Sequence, residues 1–597
     1  MLSQDRSARI IQIVLACAFI ALAVQLFRLQ IVQHDKYQLQ SDKNRTRRLR
    51  LEPPRGVIYD RNGIPLVENR PSYTLSALPI EVRGNEKSIA FLAGLLEEEP
   101  AAVKRKLDQA DNPFVLLKLR HNIDYAMLVK LEENKLEYPG VTYETETRRI
   151  YPAGIKSPHL FGYIGEVSRS ELERRQDEEI LPGDLVGKKG FEAYYDRELR
   201  GQVGYDAIEV DAVGREVKDI TGAGDRPFIR GRDFYLALDS RLQFLADSLL
   251  GDKIGGAVMV DVRDGGVLVL CSKPDFDPEL FSGTLSAADW QRLLNDPGKP
   301  LYDRVIQSAY PPGSTFKMVA ATAALEAHKA TPETTFPCTG GVTYGDRTFL
   351  CHGGKGHGTL AMVDAIKVSC NSYFYRLSMR LSVDEWAAAA KGYGFGARTG
   401  IDLPAEEVGT LPDRAYLDRV FGKKGWSSGM MLNLGIGQGD LLVTPVQMAQ
   451  YTMMIATKGR YYPLHLVYKI YDPRTQRFYK QRLASKSVEG VSQQTYAILQ
   501  EGMYRVVNSP GGTGHSTYLP DVVVAGKTGT AQNPHGDPHA WYVGFAPLAE
   551  PEVAICVLVE NGGAGGVAAG PVAGALLRRY FDLKKAASAA NAAPLRP

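Results

Sequence analysis

The chain has 597 residues and carries 71 Lys and Arg against 68 Asp and Glu, a formal net charge of only +3. That balance argues against a nucleic-acid surface, and 44% hydrophobic with 23% charged residues is ordinary globular composition. The length exceeds one compact core, so at least two folded units are expected, and 59 glycines with 34 prolines indicate many loops.

Residues 10–27 (IIQIVLACAFIALAVQLF) form the one strongly apolar run. Eighteen helical residues span about 27 Å, close to the hydrocarbon core of a bilayer. The run leads into Arg28-Leu29-Gln30 without a small-residue cleavage site, so an uncleaved anchor over 10–30 is expected, preceded by a short cytoplasmic segment, 1–9. Arg6 and Arg9 lie before it, and Arg28, Lys36, Lys43, Arg45, Arg47, Arg48 and Arg50 after it, so charge does not decide its orientation.

Arg55 to Gly63 reads as a short strand, a tight Asp60-Arg61-Asn62-Gly63 turn and a return strand. Helical pieces such as 95–99 and further irregular α+β structure follow. Residues 31–245 offer no nucleophile–base arrangement, so they read as a non-catalytic scaffold or docking module.

A second unit is expected over 246–583. Residues 256–262 and 267–270 flank Arg263-Asp264-Gly265-Gly266 in a hairpin pattern. Residues 521–526, 541–546 and 553–559 are strand-like, and 318–328 and 363–378 read as helices. Strands at both ends with helices between predict an α+β unit, one antiparallel sheet closed by its two ends and flanked by helices. Residues 584–597 are expected to be a disordered tail.

The chemistry lies in three short segments. Ser314-Thr315-Phe316-Lys317 places a hydroxyl and an amine on one face of a helix start, where free N–H groups favour developing negative charge. Alone, the pair is more often a capping serine with a solvated lysine. Ser369-Cys370-Asn371 and Lys527-Thr528-Gly529-Thr530 follow in order, and the ordered trio marks serine acyltransferases that react with penicillin. A desolvated lysine can lose its proton and activate the serine. Ser369 and Asn371, as alternate residues, can face one side and supply a hydroxyl and an amide. Lys527, Thr528 and Thr530 suit a substrate carboxylate on a strand that Gly526 and Gly529 open to close approach.

With these motifs, 310–314 (YPPGS), 399–404 (TGIDLP), 435–439 (GIGQG) and 539–547 (HAWYVGFAP), the chain resembles the class B penicillin-binding proteins of cell-wall elongation over nearly its whole length. The resemblance implies a membrane helix, an elongated α+β pedestal of dimerisation type and a transpeptidase domain in the periplasm, anchored by a single pass in the inner membrane. It implies D,D-transpeptidation, with a possible minor D,D-carboxypeptidase activity. Ser314 would attack the D-Ala–D-Ala carbonyl of a peptidoglycan stem peptide, with Lys317 as base, Ser369 as proton shuttle, and the N–H groups of Ser314 and Thr530 as oxyanion hole. Lys527, Thr528, Gly529 and Thr530 would hold the terminal carboxylate, and β-lactams would acylate Ser314. No organic cofactor is implied. Lipid II-derived glycan strands would come from a membrane glycosyltransferase of the shape, elongation and division class, alongside other elongation-complex proteins. The alternatives are a β-lactam hydrolase, for which no added glutamate can be assigned, a penicillin-sensing receptor, a division-specific transpeptidase, and a non-catalytic scaffold.

Six cysteines occur, at 17, 271, 338, 351, 370 and 556. Cys338, Cys351, His352 and Cys370 have the composition of a closed structural zinc site, although adjacent ligands at 351 and 352 are unusual. A Cys338–Cys351 disulfide and free thiols are the other two readings. If Ser369 and Asn371 face substrate, Cys370 should face away, and a metal there would brace the triplet from behind. His357 reads as a loop residue.

Overall fold

The computed structural model describes residues 2–37, 46–110, 112–152, 154–210, 216–219, 225–281 and 285–592. They form two compact units, 1–54 with 201–230, and 55–200 with 231–597.

The first unit holds the helix Leu2–Phe27, which continues as a π-helical turn, Arg28–Val32. Ile10–Val32 has a mean hydropathy of 2.6 and none of it is buried, so this one helix is long and apolar enough to cross a membrane. The unit also contains an antiparallel sheet of Gly204–Val210 between Thr46–Leu51 and Glu216–Asp219.

In the second unit the turn expected at 60–63 joins Ile58–Tyr59 to Pro65–Ala77. Asp60 holds it by accepting from the N–H groups of Asn62 (2.7 Å) and Ile64 (2.9 Å) and from the Ser240 hydroxyl (2.8 Å). These strands belong to a seven-stranded sheet whose order runs from Arg477–Lys480 through Val467–Asp472, Asp233–Leu236, Ile58–Tyr59 and Pro65–Ala77 to Leu117–Arg120, with Val141–Ile150 also pairing Pro65–Ala77. Nearby, Arg55 and Arg149 both donate to the fully buried Glu192, at 2.6 and 2.7 Å, and Arg55 also reaches Asp196 at 2.7 Å. Two guanidiniums around one carboxylate in a dry interior supply the hydrogen bonds that a buried charge requires.

The other main sheet has five antiparallel strands, ordered Val267–Lys273, Gly255–Asp261, Val553–Val559, His539–Ala546, Ala525–Ala531. The hairpin expected from the first two segments is present, and the last three strands complete the sheet from the far end of the chain. Val553–Val559 and its neighbours are buried along their whole length, which matches their continuous apolar runs. Helix Pro445–Ala456, buried at every residue, and helix Gly565–Ala592 pack on this sheet.

Three expectations are corrected. The strand expected to run from 521 into Lys527 to Thr530 begins later, at Ala525, and ends at Ala531, because pairing with His539–Ala546 covers only that segment. The helix expected over 363–378 is two helices, Met362–Lys367 and Asn371–Ser378, broken at Val368-Ser369-Cys370, where Ser369 takes φ +54°. Residues 584–592, expected in a disordered tail, continue the last helix, and Lys584 pairs with Glu552 at 2.5 Å. Residues 593–597 lie outside the described ones.

Candidate active site

Ser314 sits in a short 3-10 turn, Gly313–Phe316, that runs into the helix Lys317–Glu326. Gly313 has φ +55°, and a Cβ there would meet the Thr530 carbonyl oxygen at 3.0 Å. A Cβ on Gly529 would meet Thr315 Cγ2 at 2.9 Å and the Pro312 oxygen at 3.1 Å. These two glycines let the nucleophile turn lie directly against the strand Ala525–Ala531. That strand is the edge of its sheet, the position at which an extended peptide can add as a further strand.

The helix carries Lys317 into the interior, where the side chain is fully buried. Its Nζ donates to the Ser369 carbonyl (2.7 Å), the Ser369 hydroxyl (3.2 Å) and Asn371 Oδ1 (2.7 Å). The Ser369 hydroxyl also accepts from Lys527 Nζ at 2.8 Å. Burial pulls the Lys317 ammonium down to about 7, against a smaller upward pull from Cys370 and Cys351. Burial also depresses Lys527 well below the ordinary lysine range, and Lys317 pushes it the same way. Two desolvated amines therefore converge on one hydroxyl. Thr528 is buried and shares a 2.7 Å hydrogen bond with Thr513, while Thr530 is partly open.

The break in the helix explains how one triplet faces two ways. With Ser369 left-handed, Ser369 and Asn371 reach Lys317, while Cys370 becomes the N-cap of Asn371–Ser378 and its Sγ accepts from the Tyr373 N–H at 3.4 Å. Cys370 Sγ lies 3.9 Å from Cys351 Sγ, and His357 Nδ1 lies 3.4 Å from Cys338 Sγ and 3.5 Å from Cys351 Sγ. All four ligand atoms fall within 4.8 Å of one another. The histidine of this cluster is His357, which corrects His352: the latter is exposed on the turn His352–Gly354, whereas the chain returns at 357 to hydrogen-bond the Cys338 carbonyl. No two of the six cysteines are joined in a disulfide. The Cys351 thiol is drawn down to about 3 by its hydrogen bond from Cys370, whose own thiol is pushed up by the same contact.

Several supports had no local sequence cue. Gly437 has φ +73°, its carbonyl accepts from the Gly313 N–H at 2.8 Å, and a Cβ on it would meet the Gly313 oxygen at 2.2 Å. Trp541 Nε1 donates to the Pro311 carbonyl at 3.0 Å. Glu560 accepts from the Tyr310 hydroxyl at 2.5 Å and from Arg304 at 2.8 Å. Each partner pair is more than 120 residues apart, so spacing alone could not reveal them.

The geometry agrees with what the chain is similar to. Residues 255–578 match the family described as penicillin binding protein transpeptidase domain, and 50–236 match the penicillin-binding protein dimerisation domain. The peptidoglycan D,D-transpeptidase MrdA of Escherichia coli K12 is 32% identical, covering 94% of this chain and 91% of its own. Its namesake in Acinetobacter baumannii is 34% identical over 93% of this chain and 84% of its own. Among solved structures, the complex between penicillin-binding protein PBP2 and MreC from Helicobacter pylori matches with a TM-score of 0.80 at 29% identity, covering 90% of this chain and 99% of that one. The chain belongs to the class B penicillin-binding proteins, with the dimerisation and transpeptidase domains of the PBP2 (MrdA) type.

Proposed function

We propose that this peptidoglycan D,D-transpeptidase runs its acyl transfer through Ser314, with Lys317 as the base. The carrying observation is the convergence of Lys317 and Lys527 on the Ser369 hydroxyl, with Lys317 pulled to about 7. Neutral Lys317 takes the Ser314 proton as Oγ attacks the carbonyl of the penultimate D-Ala. The bond to the terminal D-Ala breaks, and Ser369 passes a proton to that leaving amine. An amine of a neighbouring stem peptide then attacks the ester, forms the cross-link and frees Ser314. The N–H groups of Ser314 and Thr530 receive the oxyanion. Lys527 with Thr528, Gly529 and Thr530 holds the terminal carboxylate, and Asn371 fixes Lys317. Fluorescent-penicillin labelling of the full chain and of Ser314→Ala tests the site: loss of labelling supports it, and equal labelling refutes it.

The Cys338, Cys351, His357 and Cys370 cluster suits a structural zinc. Tetrahedral zinc with bonds near 2.3 Å to sulfur sets its ligands about 3.7 Å apart, and the 3.4, 3.5 and 3.9 Å separations match. Such an ion has no step in the reaction; it holds Cys370 and thereby the break that carries Ser369 and Asn371. Metal analysis of the purified protein tests this, and a zinc-free protein with full penicillin reactivity would sink it.

We place the boundary between the non-catalytic and catalytic parts near residue 246; that the two matched segments end at 236 and begin at 255 supports this reading. The same reading puts the catalytic part in the periplasm, behind the N-terminal helix. A neighbour at TM-score 0.70 was solved for the structural coordination of polymerization and crosslinking by a peptidoglycan synthase complex, which supports a membrane glycosyltransferase as partner. The Helicobacter complex supports an MreC-like partner. Protease protection in spheroplasts checks the orientation, with the catalytic part cleaved from outside.

A further inference from the structure

The hairpin 467–482 (VYKIYDPRTQRFYKQR) stands apart in composition and plays no part in the acyl-transfer site. It holds five cations, Lys469, Arg474, Arg477, Lys480 and Arg482, against one carboxylate, Asp472, and four aromatic residues. Asp472 is buried and taken up by Arg232 and Arg474, each at 2.9 Å. Among the described residues, no carboxylate lies within ion-pair distance of Lys469, Arg477, Lys480 or Arg482. In a protein of net charge +3, this is a local concentration of unpaired positive charge.

Strand register turns that composition into a surface. Tyr59 pairs with Tyr235, Tyr235 with Lys469, and Lys469 with Lys480, so the four lie in one row across four strands of the seven-stranded sheet. The row spans three inter-strand steps, roughly 14 Å. Tyr59 and Tyr235 are stacked with centroids 4.7 Å apart and planes 16° from parallel. Phe478, 55% exposed, meets Tyr235 edge-on at 5.6 Å. The Lys469 ammonium is held over both rings, 4.4 Å from Tyr235 and 4.7 Å from Phe478. Tyr59 and Tyr235 are partly buried, which leaves Phe478 as the exposed ring beside them. The outer strand Arg477–Lys480 is exposed at all four residues, and its cations discourage simple edge-to-edge strand pairing.

Phe478 offers an exposed ring, and the ammonium groups beside it, Lys469 over Tyr235 and Phe478 and Lys480 4.7 Å from the Tyr468 ring, have no carboxylate partner among the described residues. An exposed ring beside such cations suits a polymer that has apolar sugar faces and carboxylates together. Pyranose C–H faces stack on phenylalanine, and carboxylates meet the lysines. A glycan strand bearing stem peptides has both, and on the reading above this enzyme acts on that polymer. We propose that the face of Lys469, Phe478 and Lys480 binds a peptidoglycan glycan strand outside the acyl-transfer site. None of these three side chains hydrogen-bonds to Ser314, Lys317, Ser369 or Lys527. Such a surface keeps the enzyme on the polymer between cross-links and raises the local concentration of stem peptides at Ser314.

The test is co-sedimentation of the detergent-solubilised full chain with purified peptidoglycan sacculi. The combined variant Lys469→Glu, Phe478→Ala, Lys480→Glu should bind about tenfold more weakly, a loss of about 1.4 kcal/mol. Phe478→Ala alone should show part of the loss. Wild-type binding should persist when Ser314 is saturated with penicillin and should weaken with salt. Penicillin labelling of the variants at the wild-type rate shows them folded, and it separates this test from that of the acyl-transfer site, which fails only if labelling itself does not require Ser314. Equal sedimentation of variants and wild type overturns the proposal. So does complete loss of wild-type binding under penicillin. A third overturning result is a variant that keeps its hold on sacculi but loses binding to vesicles containing phosphatidylglycerol, which would make the face a membrane contact.

Discussion

Lys527 Nζ donates to the Ser369 hydroxyl at 2.8 Å across 158 residues of sequence. The contact joins an edge strand of the five-stranded sheet to a break between two helices, and it completes a hydrogen-bonded chain from Lys317 through Ser369 to Lys527.

The base role proposed for Lys317 sets a pH dependence. Lys317 acts as a base only when neutral, and burial holds it near 7. Acylation should therefore be flat above about pH 8 and fall about tenfold per pH unit well below pH 7, because the protonated fraction rises there. Second-order rates with a fluorescent penicillin between pH 5 and 9 check this. A flat profile down to pH 5 would remove Lys317 from the base role.

Ser369→Ala deletes the hydroxyl that both lysines share. Acylation should drop by about 10²-fold or more, within the range for one proton-transfer group. Thermal stability should change little in comparison. Stopped-flow acylation beside a melting curve separates the two effects.

Gly437 and Gly400 both have positive φ, +73° and +84°, but only Gly437 faces a wall. A Cβ at 437 would sit 2.2 Å from the Gly313 oxygen, whereas nothing lies within 4 Å of one at 400. Gly437→Ala should push the nucleophile turn and cut acylation by about 10²-fold, the cost of a misplacement near 1 Å. Gly400→Ala should lose only about 1 kcal/mol of stability and keep its acylation rate.

The cluster behind Cys370 distinguishes two neighbouring histidines. If the proposed zinc is bound, His357→Ala should release it and lower both melting temperature and penicillin reactivity, whereas His352→Ala should change none of these. Metal content by mass spectrometry, read with the melting curve, decides between them.

In the non-catalytic part, Glu192→Gln leaves Arg55 and Arg149 facing a neutral amide in a dry interior. A loss of about 3–5 kcal/mol is expected, the cost of breaking a buried pair. Denaturant unfolding of the full chain measures it.

Much of this was legible from residues. The apolar run at 10–27, the turn at Asp60 and the hairpin 256–270 are local patterns, and local patterns survive folding because periodicity and turn chemistry act within a few residues. The strand carrying Lys527 to Thr530 was expected but started too early, at Asp521, because Val522-Val523-Val524 has strong strand propensity of its own; pairing with His539–Ala546 begins only at Ala525. The break at Ser369 was missed because no glycine or proline marks it; the contacts of Ser369 and Asn371 with Lys317, of Ser369 with Lys527 and of Cys370 with Cys351 hold it.

The sequence by itself determined the family and the identities of the reactive groups, since the three motifs and their order are carried by residue type. It also supplied three of the four members of the metal-like cluster. The tertiary structure decided which histidine joins them, because a turn at 352–354 exposes His352 and the chain's return brings in His357. It also decided the desolvation of Lys317, which follows from complete burial, and the row of Tyr59, Tyr235, Lys469 and Lys480, which follows from strand register. Burial and register arise from segments hundreds of residues apart meeting in space, and no local spacing encodes them.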